Sequence, residues 1–437
     1  MPKKKEYVKG RKIIERDKRV FLSTTRDEYS PVVDHGEGDY VFDADGNRLI
    51  DFSTFISVYN LGVNSNSEVR NAVKKQVDRL MHAAFTDFYS ELPVSFGEDL
   101  IKMFPKGFGK MFLSNSGTEA NEAAIKFSRT YTKRHYILAF YNSFHGRSMG
   151  SLGLTSSKIV QRENFGPFPN VVHAPYPYPY RCLFNKEPHK CGKDYIDFIK
   201  EYIFKKDISP NEIAAIFMEP IQGEGGYIVP PKEFVQGIRK LATQNGILLV
   251  DDEVQAGYMR TGKFLALDNF GVTADIYTMA KALGAGLPIG ATIVKKSLGD
   301  IPPGSHSNTF GGNHISVAAA HASLKYVMRN KRRLESGIKK KGRYAMKRLQ
   351  EMKWNYEAVG DVRGIGLMIG VEFVKNKETK EPDPEMREKV TKSAIQNGLL
   401  LLPCGQSTIR IIPPLNIRDS TLEKGLDIFE KSIKENQ

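Results

Sequence analysis

Cysteine is scarce in this chain of 437 residues, which has three, and long hydrophobic runs are missing. A small, odd number of cysteines argues against a disulfide framework. No apolar run approaches the roughly 20 residues that a membrane-spanning helix needs. No apolar stretch follows Lys3, Lys4 and Lys5, so the N-terminal residues do not resemble a secretory signal. We therefore expect a cytoplasmic protein with no membrane partner.

Two of the cysteines, Cys182 and Cys191, lie close to His189 in the sequence, which could suggest a metal site. The spacing is not that of a usual zinc site, however, and a fourth ligand is missing. We interpret both cysteines as loop thiols and expect no bound metal.

The chain is strongly basic, with 64 Lys and Arg against 50 Asp and Glu and a formal charge of +14. Such a charge could indicate nucleic-acid binding, or a solvated surface that weakly attracts anionic substrates. Basic runs occur at 331–333 and 339–341, but neither zinc-finger spacing nor an aromatic and basic RNA-binding signature accompanies them. We favour the solvated surface and expect no nucleic-acid partner, and we keep a nucleic-acid-binding protein as the remote alternative.

The order of the predicted elements favours an α/β fold. A hairpin with an Asp-Gly turn is predicted at 40–52. From about residue 66, short apolar strands alternate with helices, which is typical of a mostly parallel sheet covered on both faces. The predicted strands are 111–113, 136–140, 214–218, 247–250, 276–279 and 291–294, and the predicted helices include 67–80, 92–103, 119–132 and 231–245.

A smaller α+β domain is predicted to follow a long helix at about 314–330. Its expected elements are strands at 367–374 and 408–412 and a helix at 384–397. We therefore expect an N-terminal segment that packs with the small domain, a large domain and a small C-terminal domain, with bounds at 1–65, 66–325 and 326–437. The segment 175–195, rich in Tyr, Pro and Cys, is predicted to be a long ordered loop.

Ligands of open α/β sheets bind beyond the carboxyl ends of the strands, so the residues that follow each predicted strand matter most. Small hydroxyl residues and Gly117 follow the strand at 111–113, at the start of a helix. Free backbone N–H groups and the helix dipole at such a start favour a phosphate. An ordinary N-cap would use the same residues, so this feature alone leaves both readings open.

Charged residues follow two further strands. Asp251, Asp252 and Glu253 close the strand at 247–250, where an unpaired carboxylate is costly, so a cationic ring nitrogen, a buried arginine or a metal ion must serve as partner. Lys281 follows the strand at 276–279 and precedes a glycine-rich turn. A desolvated lysine can form imines, although it could also be half of a structural ion pair.

The combination of these features is more specific than any one of them. A phosphate site, a strand-end aspartate and a strand-end lysine, in this order on one sheet, are what pyridoxal phosphate requires. The sequence therefore predicts that Lys281 binds pyridoxal phosphate covalently and that Asp252 keeps the pyridine nitrogen of the cofactor protonated.

At these residues the sequence resembles the class III (ω-amino acid) aminotransferases of pyridoxal-phosphate fold type I. The resemblance covers roughly residues 30 to 430. The motifs that carry it are 116–124 (SGTEANEAA), 144–147 (FHGR), 219–226 (EPIQGEGG), 252–255 (DEVQ), Lys281, 309–313 (TFGGN) and Arg410 ahead of Pro413 and Pro414.

The resemblance implies which residues hold the cofactor phosphate. Gly117 and Thr118 would bind it through their backbone N–H groups, and Ser116 would belong to the same cofactor site. Thr309 would reach the phosphate of the partner subunit, which implies a homodimer with shared active sites.

The resemblance also implies how the pyridine ring is held. Phe144 would stack on one face of the ring, and Val254 would pack on the other. Gln255 would donate a hydrogen bond to the phenolic oxygen, and His145 and Glu219 would complete the cofactor site.

Substrate binding is implied for a further group of residues. Arg147 would bind the distal carboxylate of an ω-amino acid, and Arg410 would bind the α-carboxylate of 2-oxoglutarate or glutamate. Glu224 would pair with Arg410 and mask it while the ω-amino donor is bound. Ile56 stands where ornithine enzymes of the animal type have a tyrosine. An aliphatic residue there resembles the 4-aminobutyrate enzymes, which favours a 4-aminobutyrate-type donor.

The expected reaction is transfer of a terminal amino group to 2-oxoglutarate, which yields a semialdehyde and glutamate. Lys281 would move the proton as general base and general acid. The alternatives are an ornithine, acetylornithine or lysine aminotransferase, and an amino acid racemase on the same fold.

Overall fold

The structure, a computed structural model, describes residues 7–22, 24, 30–64, 66–168 and 170–437. The helices in chain order are α1 (Val8–Val20), the single turn α2 (Thr54–Ser57), α3 (Ser67–Arg79), α4 (Glu91–Ile101), α5 (Gly117–Thr132), α6 (Met149–Leu154), α7 (Lys193–Phe198), α8 (Lys232–Gln244), α9 (His314–Asn355), α10 (Pro384–Asn397) and α11 (Asp419–Lys434). The strands are β1 (Val33–Glu37), β2 (Tyr40–Asp43), β3 (Arg48–Asp51), β4 (Phe108–Ser114), β5 (Tyr136–Phe140), β6 (Val171–Ala174), β7 (Ile213–Met218), β8 (Leu248–Asp252), β9 (Ile276–Met279), β10 (Gly290–Lys295), β11 (Val359–Ile365), β12 (Met368–Phe373), β13 (Leu399–Leu400), β14 (Leu402–Cys404) and β15 (Thr408–Ile411).

A seven-stranded sheet forms the centre of the molecule, in the order β4-β10-β9-β8-β7-β5-β6. Neighbours from β9 to β6 pair in parallel, and β10 runs antiparallel to both β9 and β4. The prediction of a mostly parallel sheet is therefore confirmed. Strand β6 was not predicted, because its four residues lie at the sheet edge and three of them are only half-buried.

Burial on both faces explains why the central strands are uniformly apolar. Every residue of β7 is buried. Ile216 and Met218 belong to the core on one face of the sheet, and Ala215 and Phe217 belong to the core on the other. Successive side chains of a strand point to opposite faces, so a strand covered by helices on both sides needs apolar residues at every position.

The C-terminal part forms a second core around the antiparallel sheet β11-β12-β15-β14. The N-terminal strands join it, because β3 pairs in parallel with β13 through Ile50 and Leu399. Ile50 and Phe52 lie within the same core. We propose the division at 65/66 and 325/326 as the domain boundaries, with the N-terminal segment packed on the small domain.

Helix α9 is longer than predicted. It runs unbroken from His314 to Asn355, 42 residues, whereas the sequence pattern placed its end near residue 330. The helix continues because buried residues keep recurring at helical spacing beyond that point, at Leu334, Ile338, Ala345, Leu349 and Met352. The basic runs at 331–333 and 339–341 therefore lie on this helix.

The hairpin of β2 and β3 has the predicted four-residue turn, in which Gly46 has a φ of +80°. The predicted loop at 175–195 is ordered by two 3₁₀ turns and by contacts to the small domain: Arg181 donates two hydrogen bonds to Glu372 on β12. Among the described helices, none is long and apolar enough to cross a membrane.

Candidate active site

A cavity of about 560 Å³ opens at the carboxyl ends of β4, β5, β7, β8 and β9. This is the edge at which open α/β sheets bind their ligands. Eleven of the residues predicted from the sequence line it: Ser116, Gly117, Thr118, Phe144, His145, Arg147, Glu219, Asp252, Val254, Gln255 and Lys281. The predicted residues outside its wall are Ile56, Glu224, Thr309 and Arg410.

Asp252, the last residue of β8, is buried and held by three hydrogen-bonding groups. Its Oδ2 lies 2.8 Å from His145 Nδ1 and accepts a hydrogen bond of 2.8 Å from Asn121 Nδ2. Its Oδ1 accepts one of 3.0 Å from the Val254 N–H. These contacts satisfy both carboxylate oxygens and fix the side chain at the cavity wall.

Asn121 is a site residue that the sequence reasoning missed. Besides Asp252, its Nδ2 donates to the His145 carbonyl, at 2.7 Å, and its Oδ1 accepts from Thr278 Oγ1, at 2.8 Å. The available signal was its position, because it is a buried amide between the buried alanines Ala120 and Ala123 of α5. A polar residue on the apolar stripe of a helix needs buried partners.

Lys281 follows β9 and faces Asp252 and Glu219 across the cavity. Its ε-amino group makes no hydrogen bond or salt bridge to any residue that the structure describes. Burial lowers the pKa of Lys281 below that of an ordinary lysine, against the opposing effect of the two carboxylates. A lysine with a φ of +47° is also strained, as residues at functional sites often are.

The start of α5 has the features of both an N-cap and a phosphate site, the two interpretations that the sequence left open. Ser116 is its N-cap, and its Oγ accepts a 3.2 Å hydrogen bond from the Glu119 N–H. Gly117 also lines the cavity, and a Cβ at this position would lie only 2.8 Å from Val254 Cγ1. The missing side chain lets the backbone N–H groups at the helix start approach a ligand.

Glu219 organises the wall around Phe144. Its carboxylate accepts hydrogen bonds from the N–H groups of Phe144, at 2.9 Å, and Gly223, at 2.8 Å. Burial raises the pKa of Glu219 to about 7. Arg147 lies on the same segment as Phe144, with its guanidinium carbon 5.6 Å from the centre of the phenyl ring.

Arg410 on β15 is buried beside the cavity and paired with Glu224. Its Nη2 donates to Glu224 Oε2 at 2.7 Å, and its Nη1 donates to Gln255 Oε1 at 3.3 Å. Gln255 Oε1 also accepts from the Tyr227 hydroxyl at 2.9 Å. Burial lowers the pKa of Arg410, but the charge of Glu224 and the other groups around it raise that pKa above its ordinary value, so the guanidinium stays charged.

Ile56 and Thr309 lie away from this cavity. Ile56 belongs to α2, whose four residues all have positive φ, and Val58 of the same segment lines the wall instead. Thr309 is exposed. The positive φ angles of the four non-glycine residues of α2 are strained, and such strain is typical of functional sites.

The cysteine pair of the 175–195 loop meets at a tyrosine. The Tyr195 hydroxyl lies 3.9 Å from Cys182 Sγ and 3.8 Å from Cys191 Sγ. Within the described ranges, no group of three or more His, Cys, Asp or Glu residues is placed to hold a metal ion.

Comparison with known proteins places this geometry in a wider context. The family model "Aminotransferase class-III" matches residues 22–433. The leucine/methionine racemase of Thermococcus litoralis is 39% identical over 96% of this chain and 95% of that protein. The probable 4-aminobutyrate aminotransferase of Bacillus subtilis is 36% identical over 91% of this chain and 92% of that protein. The PLP-bound crystal structure of an amine transaminase from an uncultivated Pseudomonas species superposes with a TM-score of 0.89 at 28% identity, covering 95% of this chain and 98% of that one.

Proposed function

The chain belongs to the class III aminotransferases, whose cofactor is pyridoxal phosphate, and we propose that it moves the terminal amino group of an ω-amino acid to 2-oxoglutarate. The favoured donor is 4-aminobutyrate, which yields a semialdehyde and glutamate. The observation that carries this proposal is the ion pair of Arg410 and Glu224 beside the cavity, since a buried arginine under a removable carboxylate suits a site that must accept two differently charged substrates.

The residues around the cavity fit the three reactive parts of the cofactor. The amine of Lys281, which has no partner among the described residues, suits the aldehyde. The buried carboxylate of Asp252 suits the pyridine nitrogen, and the start of α5 at Ser116, Gly117 and Thr118 suits the phosphate. When bound, the cofactor accepts the electron pair that a substrate carbon retains as it loses a proton.

The remaining cofactor-site residues would hold the ring in place. Phe144 and Val254 line the cavity and would pack on the two faces of the ring. Gln255 directs its Oε1 towards Arg410 and Tyr227, which leaves its Nε2 to donate to the phenolic oxygen.

Two buried side chains would orient these groups. His145 would fix Asp252 through their 2.8 Å contact, as partners of ligating groups commonly do. Glu219 would fix Phe144 by accepting the hydrogen bond from its N–H.

Lys281 would transfer the proton in each half-reaction. A general base must be neutral when it accepts a proton, and burial lowers the pKa of Lys281 towards that requirement. Asp252 lies across the cavity and would stabilise the positive charge on the ring that the reaction needs.

Two arginines would divide the substrate carboxylates between them. Arg147 is exposed at the cavity and forms no ion pair with any described residue, so it would bind the distal carboxylate. Arg410 would bind the α-carboxylate of 2-oxoglutarate after Glu224 moves away. With Glu224 in place the pair is neutral overall, which suits a donor that has no α-carboxylate.

The choice of 4-aminobutyrate rests on the wall formed by the segment that contains Ile56. The side chain from this segment that lines the cavity is Val58, which is also aliphatic. An aliphatic wall gives no hydrogen bond to a second amino group, so it favours 4-aminobutyrate over ornithine by an amount on the order of 1–3 kcal/mol.

Racemisation of an α-amino acid is the second candidate, because a relative that is 39% identical over almost the whole chain is a leucine/methionine racemase. Such a reaction would use the same cofactor and would deliver a proton to the opposite face of the carbon that lost one. Racemisation needs no second substrate, so Glu224 would not have to leave Arg410 to admit one.

We propose further that the protein is a homodimer in which Thr309 reaches the partner's cofactor phosphate. The exposed position of Thr309, outside the cavity of its own subunit, is what supports this arrangement.

A substrate panel tests the proposed reaction. The holoenzyme is incubated with 2-oxoglutarate and 4-aminobutyrate, ornithine, N-acetylornithine, lysine or β-alanine in turn, and glutamate is measured. We expect 4-aminobutyrate to give the highest kcat/KM. In parallel, single L-amino acids are incubated without a keto acid and resolved by chiral chromatography. Formation of D-isomers without glutamate formation from any donor would replace our proposal with the racemase.

A further inference from the structure

Glu224 has two cationic partners, one on each carboxylate oxygen. Its Oε2 accepts from Arg410 Nη2 at 2.7 Å, and its Oε1 accepts from Lys158 Nζ at 2.8 Å. The two cations differ in exposure, since the Arg410 side chain is 3% exposed and that of Lys158 is 38% exposed. Glu224 therefore bridges a buried cation beside the cavity and a partly exposed cation nearer the solvent.

Lys158 is held in this position by the segment that also forms the cofactor site. The segment folds back through Thr155, whose hydroxyl accepts from the His145 N–H at 2.9 Å and donates to the Gly146 carbonyl at 3.0 Å. Lys158 follows shortly afterwards and starts a 3₁₀ turn at Ile159. Lys158 can therefore keep its place when Glu224 changes partner.

The strength of the contact between Lys158 and Glu224 depends on where Glu224 is. While Glu224 is bound to Arg410, Lys158 meets a pair with no net charge. Once Glu224 has left Arg410, Lys158 meets a full negative charge, because Glu224 pairs with no third cation among the described residues. Because Coulomb attraction scales with charge, Lys158 stabilises the displaced position of Glu224 more than the paired one. The Glu224 side chain is 19% exposed where it stands, and a largely buried carboxylate is costly when it has no cationic partner.

We propose that Lys158 receives Glu224 when this carboxylate leaves Arg410, and so determines how readily the site admits substrates with an α-carboxylate. Lys158 is a positioning residue, because it acts through Glu224 and does not line the cavity. The inference rests on the proposed exchange of Glu224 for a substrate carboxylate on Arg410.

Ligand binding to the holoenzyme tests the inference independently of turnover. Glutarate carries both carboxylates and needs Arg410 unmasked, whereas pentanoate carries one and does not. Both affinities are measured by titration calorimetry for wild type, Lys158→Met and Lys158→Arg, each with and without Glu224→Gln. The arginine variant is the matched control, because it keeps the charge.

We expect Lys158→Met to weaken glutarate binding roughly 2- to 5-fold, the size of a partly exposed ion pair, and to leave pentanoate binding unchanged. Lys158→Arg should bind both as wild type does. In the Glu224→Gln background, Lys158→Met should have no effect on glutarate, since there is no carboxylate left to receive. In turnover, KM for 2-oxoglutarate should rise in Lys158→Met while kcat stays constant.

Equal weakening of both ligands, or a glutarate effect that persists with Glu224→Gln, would overturn the inference. So would a wild-type protein that binds glutarate no more tightly than pentanoate. If the wild type catalyses transamination but Lys158→Met binds glutarate as tightly as the wild type does, this inference is wrong and the proposed function stands. If the variants show the expected binding pattern but the wild type forms no glutamate from any donor, the proposed function is wrong and this inference stands.

Discussion

His145 Nδ1 lies 2.8 Å from Asp252 Oδ2, and both side chains are buried. A buried carboxylate is costly unless hydrogen bonds satisfy it, and Asn121 and the Val254 N–H provide the others. The result is a carboxylate held in a fixed position on the wall of the cavity that Lys281 also lines. This relationship is what a cationic ring nitrogen requires, and the predictions below start from it.

Asp252→Asn should lower the rate of amino transfer by roughly 100-fold or more, the usual loss when a group that stabilises developing charge is removed. The amide keeps the shape of the side chain but not its charge. Asp251→Asn is the matched control, because adjacent strand residues point to opposite faces and Asp251 does not line the cavity. The measurement is the rate at which glutamate converts the bound cofactor to its amine form. An Asp252→Asn rate within a few-fold of that of Asp251→Asn would contradict the assigned role.

Asp251 and Glu253 should make the protein less stable at higher pH. Both are buried, and among the described residues no N–H or hydroxyl group donates to either oxygen of Asp251. Burial raises the pKa of Asp251 well above its ordinary value and that of Glu253 to about 7. Two adjacent buried carboxylates of this kind share a proton.

The sign of the pH effect follows from the raised values. The folded protein binds more protons than the unfolded chain, so stability is present in full below the unfolded pKa of about 4 and is lost as pH rises through about 7. Thermal unfolding of wild type should therefore occur at a lower temperature at pH 8 than at pH 5. Asp251→Asn should reduce this difference, and Asp300→Asn, at an exposed acid, should leave it unchanged. An undiminished difference in Asp251→Asn would show that the pair does not titrate.

Arg410→Met should impair one half-reaction selectively, whereas Arg147→Met should impair both. Without Arg410, kcat/KM for 2-oxoglutarate should fall about 10- to 100-fold, because the α-carboxylate loses a buried charged partner. The half-reaction with 4-aminobutyrate should change little. Arg147→Met should impair both half-reactions, since both substrates carry a distal carboxylate. The measurement is kcat/KM for each substrate, and equal losses in both half-reactions of Arg410→Met would refute its assignment to the α-carboxylate.

Mixed dimers should reveal whether Thr309 serves the partner's site. Thr309→Asp places a negative charge where a phosphate is expected, and Lys281→Ala removes the amine, so each homodimer should be inactive. When the two are unfolded and refolded together, roughly a quarter of the wild-type activity should return, because half of the random dimers contain one intact site. If Thr309 serves its own subunit, no mixed dimer contains an intact site and no activity returns.

Much of this site could be predicted because its residues are chemically unusual where they stand. A lysine and three acids at the ends of apolar strands require a reason, and parallel strands bring their carboxyl ends to one edge. The sequence order of Ser116, Asp252 and Lys281 was therefore enough to expect that they meet around one cavity, as they do.

The features that escaped prediction depend on contacts between distant segments. No local pattern indicates that Asn121 reaches Asp252, or that Lys158 reaches Glu224, 66 residues further along the chain. The left-handed turn at α2 was missed for the same reason, since its residues are neither glycine nor asparagine and only the surrounding structure holds them there. The end of α9 was misplaced because its basic surface obscured the buried positions that continue the helix.

Reduction of the holoenzyme with borohydride, followed by digestion and mass spectrometry, tests the central claim most directly. Borohydride fixes the bond between the cofactor aldehyde and the amine that holds it, so the modified peptide identifies the lysine. We predict that the cofactor mass is found on the peptide that contains Lys281. It should be absent from the corresponding peptide of the Lys281→Arg variant. Attachment to any other lysine, or an unmodified Lys281 in protein that has retained its cofactor, would contradict the account.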